Sequence, residues 1–157
     1  MITDNTKVET KLYDNAASPM IMGVLNVTPD SFSDGGKHNA PEQAVAHALE
    51  MVKQGADIID VGGESTRPGA TFVSAMEEVS RTVPVITSLG DIGVPISIDT
   101  RKASVAQAAI SAGATLFNDV SALTFDSQSM AVAAKYKVPI CLMHALSGPE
   151  TMQDNPE

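Results

Sequence analysis

Apolar residues along this chain cluster in five short runs, Met20 to Asn26, Asp57 to Glu64, Pro95 to Asp99, Thr115 to Asp119 and Pro139 to His144, each ending in polar residues. Between them the apolar period changes to that of a helix. Ala44, Val45, Ala48, Leu49 and Val52 fall on one helical face, Pro41 suits a first turn, and Gly55 suits the left-handed position that stops a helix. Further helices are predicted over Ala75 to about Leu89, Ala103 to Ala112 with Gly113 as its stop, and Ser127 to Lys137. The runs are continuous rather than alternating, which predicts a parallel sheet covered by helices. A faint internal repeat sets Gly55 to Asp60 against Gly113 to Asn118, each reading helix stop, strand, polar end. Such strand-to-helix units are compatible with a doubly wound sheet or a (β/α)8 barrel, and both put chemistry at the carboxyl ends of the strands.

Those ends carry Asn26, Asp60 to Glu64, Asp99, Asn118, Asp119 and His144, residue types that pack poorly and suit a ligand-facing rim. Asn26 opens a polar loop running to Gly36, with spaced carboxylates, hydroxyls and Phe32; this is the composition of a mobile lid rather than of a Gly/Ser or Pro linker. The second loop, Gly62 to Ala70, places the Thr66 hydroxyl beside the Arg67 guanidinium, which together with glycine-freed amides suits a phosphate or carboxylate. It is no nucleotide fingerprint, having neither Gly-x-Gly-x-x-Gly nor the Lys-Ser/Thr ending of a P-loop. Asp99 either caps the next helix or accepts hydrogen bonds from a donor-rich ligand; with Asn118 and Asp119 on the adjacent strand, the ligand reading is preferred. Arg101 and Lys102 are either solvated first-turn residues or a source of positive potential at the rim. His144 is read as structural or as a minor site residue, because His38 and His47 do not supply partners at metal-ligand spacing.

At 157 residues and 43% hydrophobic, the chain can bury one sizeable core. A net charge of -9 argues against nucleic acid or an anionic membrane as partner. With no apolar run of membrane-spanning length and no leader-like amino terminus, a soluble cytoplasmic protein is expected. The single cysteine, Cys141, sits within an apolar run and is expected to be a buried, inert thiol.

Met22 to Gly36, Gly55 to Ala70, Ile98 to Thr100, Asn118-Asp119 and Cys141 to His144 together resemble the dihydropteroate synthases, in order and over nearly the whole chain. The resemblance implies a (β/α)8 TIM-type barrel, of which residues 1–157 would be the amino-terminal part, about five strands and four helices of a single domain, with the remainder absent. It also implies condensation of 6-hydroxymethyl-7,8-dihydropterin diphosphate with p-aminobenzoate in folate biosynthesis, inhibition by sulfonamides, and a homodimer at full length. On the matching positions, Asn26 would ligate Mg²⁺. Asp99 and Asn118 would read the pterin edge, with Met143 against its ring. Thr66, Arg67 and Pro68 would contact diphosphate and order the aminobenzoate pocket. Catalytic roles would fall to Asp30, Phe32 and Asp34 on the first loop and to Arg67 on the second. A methyl-transfer domain on a similar pterin-binding barrel is a rival reading, though it has no reason to keep the Ser-Thr-Arg-Pro loop. A non-catalytic half-barrel associating through its open sheet edge is another.

Overall fold

The computed structural model describes residues 19–28, 40–65 and 71–143. Strand and helix alternate through them as β1 (Met22–Asn26), α1 (Ala40–Lys53), β2 (Ile58–Gly62), α2 (Ala75–Leu89), β3 (Ile96–Asp99), α3 (Ala103–Ala112), β4 (Leu116–Asp119), α4 (Ser129–Tyr136) and β5 (Ile140–Leu142). Every strand lies inside an apolar run singled out above. All pairings are parallel and the sheet order is β1-β2-β3-β4-β5.

That order decides between the two architectures left open by composition. A doubly wound sheet reverses direction at a switch point and carries helices on both faces. Here each crossover advances the same way, so right-handed connections put every helix on one face and leave the other to line a barrel interior.

Local signals explain the helix limits. The Ser74 hydroxyl accepts the Glu77 N–H at 3.2 Å and caps α2, whose first turn carries Glu77 and Glu78 against the helix dipole. The start of α3 is capped from a distance, its Ala103 N–H donating to Asp126 Oδ2 at 2.9 Å. The repeat seen in the sequence is a repeated helix stop. Gly55 and Gly113 take φ of +105° and +126°, and the following Ala56 and Ala114 N–H groups close back onto the Met51 and Ala109 carbonyls.

Alternation along the strands sorts the two faces. Leu25, Ile59, Val61, Ile98 and Phe117 are fully buried against Ala44 and Ala48 of α1, Val85 and Ile86 of α2, and Val105, Ala106 and Ala109 of α3. Small alanines on the helices let them approach the strands closely. Ile58 and Leu116 are buried too, but lie outside this cluster, on the opposite face.

Gly63 makes its own close approach. A Cβ there would sit 2.8 Å from Thr82 Cγ2 and 3.0 Å from Glu78 Cγ, with the Glu78 carbonyl at 3.3 Å. Gly63→Ala is therefore expected to push α2 off the sheet and cost about 1–3 kcal/mol, the usual range for overpacking. Thermal denaturation checks this, and an unchanged melting temperature would show that α2 is free to shift.

Cys141 departs from expectation: it is exposed, not buried. An apolar run buries its side chains only where something covers both faces and both edges. Among the described residues β5 is the last strand of the sheet, and its Ile140 and Leu142 are 40% and 53% exposed. Among those residues no helix is long and apolar enough to cross a membrane.

Candidate functional site

Parallel register turns the polar strand ends into a row. Asn26, Gly62, Asp99, Asn118 and Cys141 pair successively from β1 to β5 and, by alternation, face away from the helices. One layer deeper on the same face lie Val24, Asp60, Ser97 and Leu116. Gly62 leaves a gap in the upper row. A Cβ built on it would come 3.5 Å from Asp99 Oδ2 and 3.7 Å from Asn26 Oδ1, so the missing side chain opens space between an amide and a carboxylate.

Asp99 does not cap α3, a task performed by Asp126, and its Oδ1 is buried without a partner. Burial pushes its carboxyl up to about 7, and Asp60, Glu78, Asp119 and Glu64 add to the rise by like-charge repulsion. Asp60 beneath it is also raised, chiefly by burial. Asn118 Nδ2 donates to Asp60 Oδ2 at 2.9 Å and holds part of that rise down. The Ser97 hydroxyl lies near enough to help, without completing a hydrogen bond. Asp60 Oδ1 and Ser97 Oγ are buried without partners. Unsatisfied buried oxygens of this kind mark a place that a donor-rich ligand or water completes.

Asp119 separates from its neighbour. One residue on from Asn118, it points to the helix side, is fully buried, and accepts from Ser121 N–H, Ser121 Oγ and Leu123 N–H at 2.7–3.0 Å. It holds a turn in which Ala122 and Leu123 both take positive φ, so it organises a loop and does not face the row.

Neither sequence reading of Lys102 survives. Its ammonium is buried between Glu64 Oε2 and Glu78 Oε2, both at 2.6 Å, with Arg101 Nε 3.3 Å from the same Glu64 oxygen. Glu64 Oε1 accepts the Val73 N–H at 3.0 Å, tying together the two ends of the connection from β2 to α2. Burial alone would raise Glu64, but Lys102, the Val73 amide and Arg101 outweigh it and hold the carboxyl below its ordinary range. The cations also stack on aromatics, Arg101 over Phe125 at 4.3 Å and Lys102 over Phe72 at 5.0 Å.

The family described as pterin binding enzyme matches residues 22–157, which include every described strand. The chain belongs to the pterin-binding enzymes. The dihydropteroate synthase of Synechocystis is 51% identical over 144 residues, covering 91% of this chain and 50% of that protein. Among solved structures, the dihydropteroate synthase of Clostridium difficile, determined in the presence of pteroic acid, superposes with a TM-score of 0.81 at 51% identity, over 87% of this chain and 52% of that one. That of Yersinia pestis, in complex with a sulfonamide drug, gives 0.79 at 50% identity over 88% and 50%. The chain spans about half the length of the curated relatives it matches.

In this pterin-binding enzyme, the structure gathers three of the residues named from sequence, Asn26, Asp99 and Asn118, into one row, and sets Met143 directly after β5, where its N–H lies 3.4 Å from the Asp119 carbonyl. Asp30, Phe32 and Asp34 fall in 29–39, and Thr66, Arg67 and Pro68 in 66–70, outside the described residues, as does His144. Among the described residues no group of three or more His, Cys, Asp or Glu is placed to hold a metal ion. Sequence reasoning counted Asp60 and Glu64 among the polar strand ends without giving either a role of its own, and passed over Ser97 and the pairing of Lys102 with Glu64 and Glu78. A polar residue two positions before each rim position, Asp60 before Gly62 and Ser97 before Asp99, was the available signal for the deeper layer.

Proposed function

We propose that this chain is a dihydropteroate synthase of folate biosynthesis and that its five strands are the first five of a (β/α)8 barrel. The reaction joins 6-hydroxymethyl-7,8-dihydropterin diphosphate to p-aminobenzoate, giving 7,8-dihydropteroate and pyrophosphate. The observation that carries the reading is the row in which Asp99, with a buried unpartnered oxygen, stands beside Asn118 on the next strand and borders the gap left by Gly62. A pterin edge offers adjacent N–H donors with an acceptor. A carboxylate and an amide on neighbouring strands are complementary to it. The relatives' names favour this reading over a methyl-transfer barrel, and the sulfonamide complex of the Yersinia relative supports susceptibility to such drugs.

In the reaction the aminobenzoate nitrogen forms a bond to the pterin methylene as the bond to the diphosphate oxygen breaks; the amine then loses a proton. Asp99 and Asn118 hold the pterin plane fixed, and Met143 supplies an apolar contact to the ring. Thr66, Arg67 and Pro68 meet the diphosphate and order the aminobenzoate, while Asp30, Phe32 and Asp34 belong to the loop that covers the reacting groups. The amine needs orientation rather than activation.

Mg²⁺ commonly keeps waters and substrate phosphates and takes few protein ligands, all of them oxygen. The exposed Asn26 at the end of β1, its Oδ1 beside the Gly62 gap, fits that demand. Bound there, Mg²⁺ would neutralise negative charge on the leaving diphosphate. Cytoplasmic location and a homodimer belong to the same proposal. Asn26→Ala is expected to weaken Mg²⁺-dependent binding of the pterin diphosphate about tenfold, the loss of roughly one good ligand contact, while leaving affinity for a free pterin nearly unchanged. Calorimetry with and without Mg²⁺ makes the comparison; equal loss of both affinities would remove Asn26 from the metal.

A further inference from the structure

Asp60 has no role in the assignments above, yet it is a carboxylate 4% exposed on the interior face of β2, where the preceding residue on that face is Ile58. Burying a carboxylate is costly, and an apolar side chain would fill this place without that cost. What the carboxylate does is visible in one bond. Its Oδ2 accepts Asn118 Nδ2–H at 2.9 Å, reaching across β3 from β2 to β4.

An asparagine amide has two ends of nearly the same shape and opposite hydrogen-bonding sense. Left alone, Asn118 would meet a ligand in either orientation. An ionised Asp60 only accepts, so the nitrogen of Asn118 must turn toward it, which leaves the carbonyl oxygen and the second N–H for other partners. We propose that Asp60 is a positioning residue of the ligand site, fixing from beneath the row the amide of Asn118 in one orientation. This rests on the reading of that row as the pterin site.

A second consequence comes from charge. Of the charged groups around Asp99, namely Asp60 on β2, Glu64 after it, Glu78 on α2, Asp119 on β4 and the cations Arg101 and Lys102 before α3, Asp60 is the largest charge contributor to the rise of Asp99 after burial itself. Asp60 thus also helps keep Asp99 protonated until a donor arrives.

Two substitutions test the role. Asp60→Asn loses the charge and, able to donate as well as accept, no longer forces one orientation; Asp60→Leu offers Asn118 no partner. Side-chain amide NMR of the ligand-free chain should show Asn118 N–H protected from exchange in the wild type and freely exchanging in Asp60→Leu. The Asp99 carboxyl carbon should titrate near 7 in the wild type and at lower pH in Asp60→Asn. Pterin affinity should fall about tenfold or more in Asp60→Leu, as for loss of a buried hydrogen-bond network, and by a smaller factor in Asp60→Asn. Protected Asn118 N–H or wild-type pterin affinity in Asp60→Leu would overturn the proposal. If Asp60→Leu does not fold, Asp60→Asn decides: an unshifted Asp99 together with wild-type pterin affinity overturns it. A wild type that binds no pterin would sink the proposed function, whereas the NMR comparison would still decide the role of Asp60.

Discussion

Asp99→Asn is expected to abolish measurable pterin binding while raising the melting temperature of the free chain above pH 7. Both effects have one cause. The Asp99 carboxyl is buried among like charges with an oxygen unpartnered, so its pKa rises to about 7 when no ligand is present. A carboxyl whose folded pKa exceeds its unfolded value stabilises the fold fully below the unfolded pKa, and that contribution is lost as pH rises through the folded one. Between about pH 4 and pH 7 the free chain therefore loses stability, by at most about 4 kcal/mol for a shift of this size. Asparagine does not ionise and escapes that loss, so its melting temperature should be flatter over this range. The same substitution replaces a charge-assisted acceptor by an amide and puts a donor where the pterin already donates. A loss of roughly 100-fold or more in affinity follows. Denaturation at pH 5 and pH 8, paired with pterin titration, gives both numbers. Normal pterin affinity in a folded Asp99→Asn chain would remove Asp99 from the site.

Lys102→Met is expected to be the most damaging single change to the fold. The ammonium sits between Glu64 and Glu78, 6% exposed in its side chain, and Glu78 has one buried oxygen with no other partner. Taking the cation away leaves Glu78 buried without the ammonium that pairs it, in the field of a Glu64 still paired with Arg101. Removing one partner of such a group typically costs about 3–5 kcal/mol, enough to unfold a chain of ordinary marginal stability. The pH signature is opposite to that of Asp99. Glu64, held below its ordinary range, contributes stability above the unfolded carboxylate pKa and loses it as pH falls through its folded value. In Lys102→Met this acid sensitivity should weaken. Urea denaturation measures the cost, and a change below about 1 kcal/mol would mean that the cluster is solvated in solution like an ordinary surface pair.

Much of the fold was legible because its code is local. Continuous apolar runs marked the strands, Gly55 and Gly113 marked the helix stops, and the repeat between them proved to be the same backbone closure twice. The choice of barrel over doubly wound sheet was not legible in the apolar pattern, because strand order is a property of non-local pairing, and it came instead from the family resemblance. In the site, Asn26, Asp99 and Asn118 could be read from their places at strand ends. Asp119 could not be told from Asn118, since adjacent residues differ only in the face they take. Lys102 could be read only as a solvated helix-start residue or as positive potential at the rim, because both of its partners are remote in sequence, Glu64 by 38 positions and Glu78 by 24. Cys141 misled for the converse reason: an apolar neighbourhood in sequence does not ensure cover in space.

The most direct test of the central claim is calorimetric titration of the chain with the dihydropterin diphosphate and Mg²⁺ between pH 5.5 and pH 8.5. If the row from Asn26 to Asn118 is the pterin site and Asp99 must ionise to fill it, affinity should rise about tenfold per pH unit up to about pH 7 and then level off, with protons released on binding below that point. A folded chain that binds no pterin, or binds it with an affinity indifferent to Asp99 and to pH, would contradict the account.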